Sequence, residues 1–314
     1  MFENYDKCVS LYLSNMKRNC LSADSIDSYA RTFRMFRESM ETEGYTEACP
    51  AAVVAFKLSK TDLALTSLAL YFTHLRLLAE FGVELGIFAE NFVPDAIMPP
   101  KKKVAAERNK EYDHVLSEDQ IIQLLTADKP NFGRKSCTWL REKAEVALLL
   151  QSGLRNSELR SLTLEDLDFE HGIIHARITK GDKPRCVSFP RTAQNAVREY
   201  LSSPLHPTWV KPSEPVFGLV DPKSGEWEGM GRVQLSARIN YFTKAVLGEE
   251  YACRTHALRH GYSSVLLEHG VDIQQISESL GHSSVQTTTI YAKRLTAETP
   301  AQNIDSVFDR MEAV

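Results

Sequence analysis

The residues from Cys253 to Lys293 constrain this chain more than any others, because their punctuation fixes where helices start and stop. Asp272 with Gln275 three residues on reads as a capping box that opens a helix. Gly281 suits the left-handed residue that closes it, and Ser283 or Ser284 can cap the next. The spacing therefore predicts helix, sharp corner, helix. It puts His256 and Arg259 one turn apart on the preceding helix, His282 at the corner, and Tyr291 on the short helix beyond.

Histidine and arginine side chains are donors suited to a doubly coordinated anion, and a phenol is a nucleophile once its proton is removed. Each residue alone has an ordinary explanation. A single tyrosine near a C-terminus usually packs or lines a rim. His256 and His260 stand four apart as zinc ligands do, but Ala257 follows where a metalloprotease needs glutamate, so neither metal nor cofactor is expected. Taken jointly, the cluster predicts a phosphate held while Tyr291 attacks it.

A chain of 314 residues is long enough for two domains, each with its own core. Its 43% apolar and 25% charged residues fit a soluble protein. The six cysteines form no close pair, which points to a reducing interior such as the cytoplasm. No secretion leader and no membrane span is expected. The net charge of −4 gives no global basic field, and neither the first 112 residues nor the remainder carries a basic excess. Affinity for a nucleic acid must then come from local basic surfaces.

The first hundred residues read as a helical bundle. Helices are predicted from about Asp6 to Asn19, from Ser25 to Gly44 on the apolar stripe Ile26, Tyr29, Phe33, Phe36 and Met40, and from about Thr61 to Phe81. Arg31 and Arg34 project from the far side of the second helix, as a solvated face or as contacts to DNA phosphates. Pro94, Pro99, Pro100 and Lys101-Lys102-Lys103 mark residues 94–114 as a flexible basic linker, either solvated or a strap across a duplex.

Ser117 and Gln120 open a second domain, 115–314, with a helix to about Ala127, and a second helix from Thr138 to Gln151 stops at Gly153. Arg155 then falls on a tight corner, with Glu158 as a ready partner. Ile173 to Thr179 and Arg185 to Phe189 read as strands of a hairpin whose tip carries Lys180. Gln234 to Leu247 reads as a helix after a surface segment from Pro204 to Gly231. A last helix at about 300–313 carries Ile304, Val307, Phe308 and Met311 as a narrow seam, fit for its own domain or a neighbouring subunit. The fold class expected is mainly α with a small β-sheet: a helical bundle followed by an α+β domain.

In order, Arg155, Lys180, His256 with Arg259, His282 and Tyr291 resemble the active-site signature of the tyrosine recombinases, also called the phage integrase family. By motif the resemblance spans roughly 115 to 295, and residues 1–93 look like that family's helical, SAM-like core-binding domain. Ser188, where the family often has proline, and Lys293, where histidine is common, depart from the pattern. The Thr-Lys-Gly context favours Lys180 over Lys183 as the hairpin lysine.

The resemblance implies a C-shaped clamp around double-stranded DNA, and a site-specific recombinase (integrase) whose task is mobile-element integration, excision or chromosome-dimer resolution. It further implies a homo-tetramer on paired sites, with the terminal helix exchanged between protomers. In such chemistry Arg155 and Arg259 would stabilise the charge developing on the non-bridging oxygens. His256 and His282 would add hydrogen bonds or take the phenolic proton, Lys180 would protonate the departing 5′ oxygen, and Glu158 would orient Arg155. A type IB topoisomerase, or a DNA-binding regulator without turnover, is the alternative.

Overall fold

Two sets of helices, each with a separate core, account for most of the chain in a computed structural model that describes residues 2–110, 116–127, 138–177, 184–253 and 255–281. The first compact unit spans Met1–Asp113 and the second His114–Val314.

The first unit holds α1 (Glu3–Arg18), α2 (Ala23–Thr42), α3 (Pro50–Leu58), α4 (Leu65–Glu84) and α5 (Lys101–Lys110). Ser22 caps α2 by accepting the Ser25 N–H at 3.3 Å, satisfying one of the amides that no helical carbonyl can reach. The stripe read from the sequence turns inward: Phe33, Phe36 and Met40 are buried, with Tyr29 packed against them. Phe36 meets Tyr5 and Phe56 edge-on and stacks on Phe92, so aromatic rings fill the centre of this bundle.

Two elements here differ from expectation. The stretch from Pro50 to Leu58 is helical because proline pre-sets the first helical turn, while its run of apolar residues masks the amphipathic period. Residues 94–114 are not simply a flexible strap, for Lys101–Lys110 forms α5 and packs on α4. Ala64 at the start of α4 has no capping oxygen, and Glu107 from α5 supplies one, accepting the Thr66 N–H at 3.2 Å. Lys101, Lys102 and Lys103 remain exposed on the first turn of α5.

His74 of α4 is buried, stacked at 3.7 Å on Tyr29, with Nδ1 2.9 Å from the Thr32 hydroxyl. Burial lowers its pKa from 6.5 to about 4. Because the folded value lies below the unfolded one, its contribution is fully present above pH 6.5 and is lost as pH falls toward 4. The loss is expected to reach about 3 kcal/mol. Urea unfolding of the whole chain followed at several pH values tests this, and His74→Phe should flatten the slope within that window.

The second unit opens with α6 (Glu118–Thr126), where Ser117 and Gln120 exchange both bonds of the expected capping box. Helix α7 (Thr138–Ser152) is the hub, touching α6, α8 (Asn156–Ser161), α9 (Arg191–Leu201), α10 (Arg232–Leu247) and α11 (Thr255–Glu268). Strands β1 (Leu167–Asp168), β2 (Ile173–Ala176) and β3 (Arg185–Ser188) form an antiparallel sheet in that order, pairing Ile174 with Val187 and His175 with Cys186. Helix α9 was not read from the sequence, nor was the small hairpin of β4 (Gly218–Val220) and β5 (Trp227–Gly229) inside the expected surface segment. The last described element is α12 (Ile273–Leu280). The expected mainly helical architecture with a small antiparallel sheet is therefore observed. Among the described residues, no helix is long and apolar enough to cross a membrane.

Candidate active site

Two glycines build the corner where the candidate residues meet. Gly153 ends α7 at φ 61°, and a Cβ there would lie 2.7 Å from the Tyr262 ring and 2.9 Å from Leu280. Both the conformation and the close approach demand glycine. The turn it makes lets Arg155 leave the helix at the start of α8. Gly281, also at φ 61°, ends α12, after Asp272 has opened that helix by accepting the Gln274 and Gln275 amides at 2.7 and 3.4 Å. The reciprocal Gln275 half of the expected box is not among the described bonds.

Three guanidinium groups converge on the carbonyls that close α12. Arg185 donates through Nε to Ser279 O at 2.7 Å, Arg259 through Nη2 to Leu280 O at 2.6 Å, and Arg155 through Nη2 to Gly281 O at 2.7 Å. These carbonyls have no further helical turn to bond and carry the negative end of the helix dipole, so cations belong there. Arg259 is almost wholly buried and donates its other terminal nitrogen to Gly153 O, which ties the two corners together.

Glu158 balances the cluster. Its buried carboxylate accepts the Arg155 backbone N–H at 2.7 Å and Arg155 Nη1 at 2.8 Å, as the sequence suggested. It also accepts two bonds from Arg185, at 2.6 and 2.8 Å, which the sequence did not suggest. Burial alone would raise its pKa, but the bonds and charge of Arg185, then those of Arg155, overcome that and hold it at about 2. Glu158 is thus ionised at any physiological pH. Among the described residues, three arginines meet one carboxylate at this corner, a local surplus of positive charge suited to an anion. Arg185 went unnoticed because its strand register, not its sequence neighbourhood, brings it to Glu158.

His256 lies exposed on the first turn of α11, its ring 4.5 Å from that of buried His260. Arg155 and Arg259 are thus brought to one corner, and His256 shares a helix with Arg259. Lys180, His282 and Tyr291 lie outside the described residues. Arg31 and Arg34 are exposed on α2, where Arg31 pairs with Asp27 at 2.9 Å. Among the described residues, no group of three or more metal-ligating side chains is assembled.

The model of the phage integrase family matches residues 114–298. Tyrosine recombinase XerA of Thermococcus kodakarensis is 33% identical over 180 residues, 57% of this chain and 57% of that protein. Tyrosine recombinase XerC of Histophilus somni is 31% identical over 251 residues, 76% of this chain and 75% of its own. The match to the first of these relatives thus spans under two thirds of its length. Among solved structures, XerH site-specific recombinase bound to palindromic difH substrate gives a TM-score of 0.62 at 18% identity, covering 86% of this chain and 76% of that one. A lambda integrase dimer on a core site gives 0.61 at 14% identity, covering 90% and 96%.

Proposed function

Because this chain belongs to the phage integrase family of tyrosine recombinases, we propose that it is a site-specific DNA recombinase that cuts and rejoins strands through a covalent 3′-phosphotyrosyl intermediate. One observation carries the reading. Arg155 and Arg259, from separate helices, hold consecutive carbonyls immediately before His282, beside a surplus of positive charge. A phosphodiester placed at that corner would meet the charge its pentacoordinate transition state needs.

In this reaction the Tyr291 oxygen bonds to phosphorus, the phosphorus–5′ oxygen bond breaks, and Lys180 gives that oxygen its proton. His256 and His282 hydrogen-bond the phosphate or take the phenolic proton, which a side chain of pKa ~10 retains at neutral pH. One ester replaces another, so religation requires no nucleotide. The exposed Arg31, Arg34, Lys101, Lys102 and Lys103 contact DNA phosphates. The surface pair Arg31–Asp27 is weak enough to exchange for a phosphate. The assembly is a homo-tetramer on paired sites in the cytoplasm, with the terminal helix at about 300–313 passed to a neighbouring protomer.

Covalent capture on fragmented genomic DNA, followed by sequencing of the joined ends, tests this. The expected result is protein joined to 3′ phosphates at a small set of related sequences. Failure to recover any protein–nucleotide ester from the wild-type chain would overturn it.

A further inference from the structure

We propose that Arg185, the first residue of β3, is a positioning residue for strand cleavage: by neutralising Glu158 it leaves Arg155 a net positive charge to offer the phosphate. This rests on the reading above that Arg155 is a phosphate ligand.

The geometry is that of a fork. Arg185 Nη1 and Nη2 reach Glu158 Oε1 and Oε2 at 2.6 and 2.8 Å, a two-point pairing that a planar guanidinium makes best. Its Nε simultaneously holds Ser279 O at 2.7 Å. The side chain is packed as well as bonded: a Cβ on Gly281 would lie 3.1 Å from Arg185 Cδ. One residue therefore joins the sheet, the start of α8 and the end of α12. The Glu158 side chain is 1% exposed and that of Arg185 is 10%, so water does little to screen either charge.

Charge counting then gives the consequence. With Arg185 present, Glu158 is balanced and Arg155, 23% exposed at its side chain, keeps its own charge for an incoming anion. Without Arg185 the buried carboxylate has Arg155 as its remaining described guanidinium partner. The pair would cancel, and Arg155 would bind Glu158 in preference to DNA. Removing the carboxylate charge as well should return Arg155 to the phosphate. A residue that merely held the fold would show no such recovery.

The test measures covalent-adduct formation at saturating DNA, and binding separately, on a nicked duplex bearing a site recovered by covalent capture. Arg185→Ala is expected to slow adduct formation by roughly 10²-fold, as displacement of an oriented group does, with binding little changed. Arg185→Ala combined with Glu158→Gln should regain about tenfold of that loss. Should Arg185→Ala melt below the assay temperature, Arg185→Lys carries the test. It keeps the charge on a single amino group that cannot fork, and should slow the step about tenfold. A single variant at wild-type rate, or a double variant no faster than the single, overturns the proposal. Arg155→Ala separates the failures. If it cleaves normally, the reading of the site falls and the proposal with it; if it is inactive while Arg185→Ala is unaffected, only the proposal falls.

Discussion

Tyr291→Phe is expected to eliminate the covalent protein–DNA adduct and leave duplex binding unchanged. The substitution removes one oxygen and keeps the ring. Affinity for a duplex comes mainly from cations on phosphates, which the variant retains, so its dependence on salt should match that of the wild type. If Tyr291 is the nucleophile, cleavage has no such reserve, since without the phenolic oxygen no bond to phosphorus forms at this position. A nicked duplex that traps the intermediate, resolved on a denaturing gel, measures the result directly. A trapped band from the phenylalanine variant would pass the nucleophile's role to another side chain.

Arg259→Ala combines two losses that can be separated. If Arg259 stabilises charge on the non-bridging oxygens, adduct formation should fall by about 10²–10³-fold. The same change strips the donors from Gly153 O and Leu280 O, and each buried carbonyl left without a partner costs about 1–3 kcal/mol. The variant should therefore melt at a lower temperature as well as cleave slowly. Measuring the rate well below its melting point isolates the chemical term. A folded Arg259→Ala that cleaves at the wild-type rate would remove Arg259 from the site.

Features set within a few residues are legible in the sequence, and those set by distant contacts are not. Ser117 and Asp272 cap the helices they precede because a cap is made within three residues. Phe33, Phe36 and Met40 face inward because a single turn sets their spacing. Helix α3 escaped because an almost wholly apolar run has no contrast between its faces. Helix α9 escaped because its buried face is built from small or polar residues, Ala193, Gln194 and Ala196, beside Val197 and Tyr200. The strands of the β4–β5 hairpin have three residues each, too short to show alternation, and are held by pairing across the turn and by the Trp227 indole on Pro215 O.

Sequence alone determined the helical character of both units, the two glycine corners at Gly153 and Gly281, and the kinds of side chain available to grip an anion. Each follows from backbone sterics, periodicity or side-chain chemistry, which act over a few residues. Only the tertiary structure decided that Arg155, Arg185 and Arg259 would finish α12 at three successive carbonyls and that Arg185 would share Glu158 with Arg155. Charges far apart in the chain have no preferred partner until packing brings them within a few ångströms, where the loss of water makes their pairing strong.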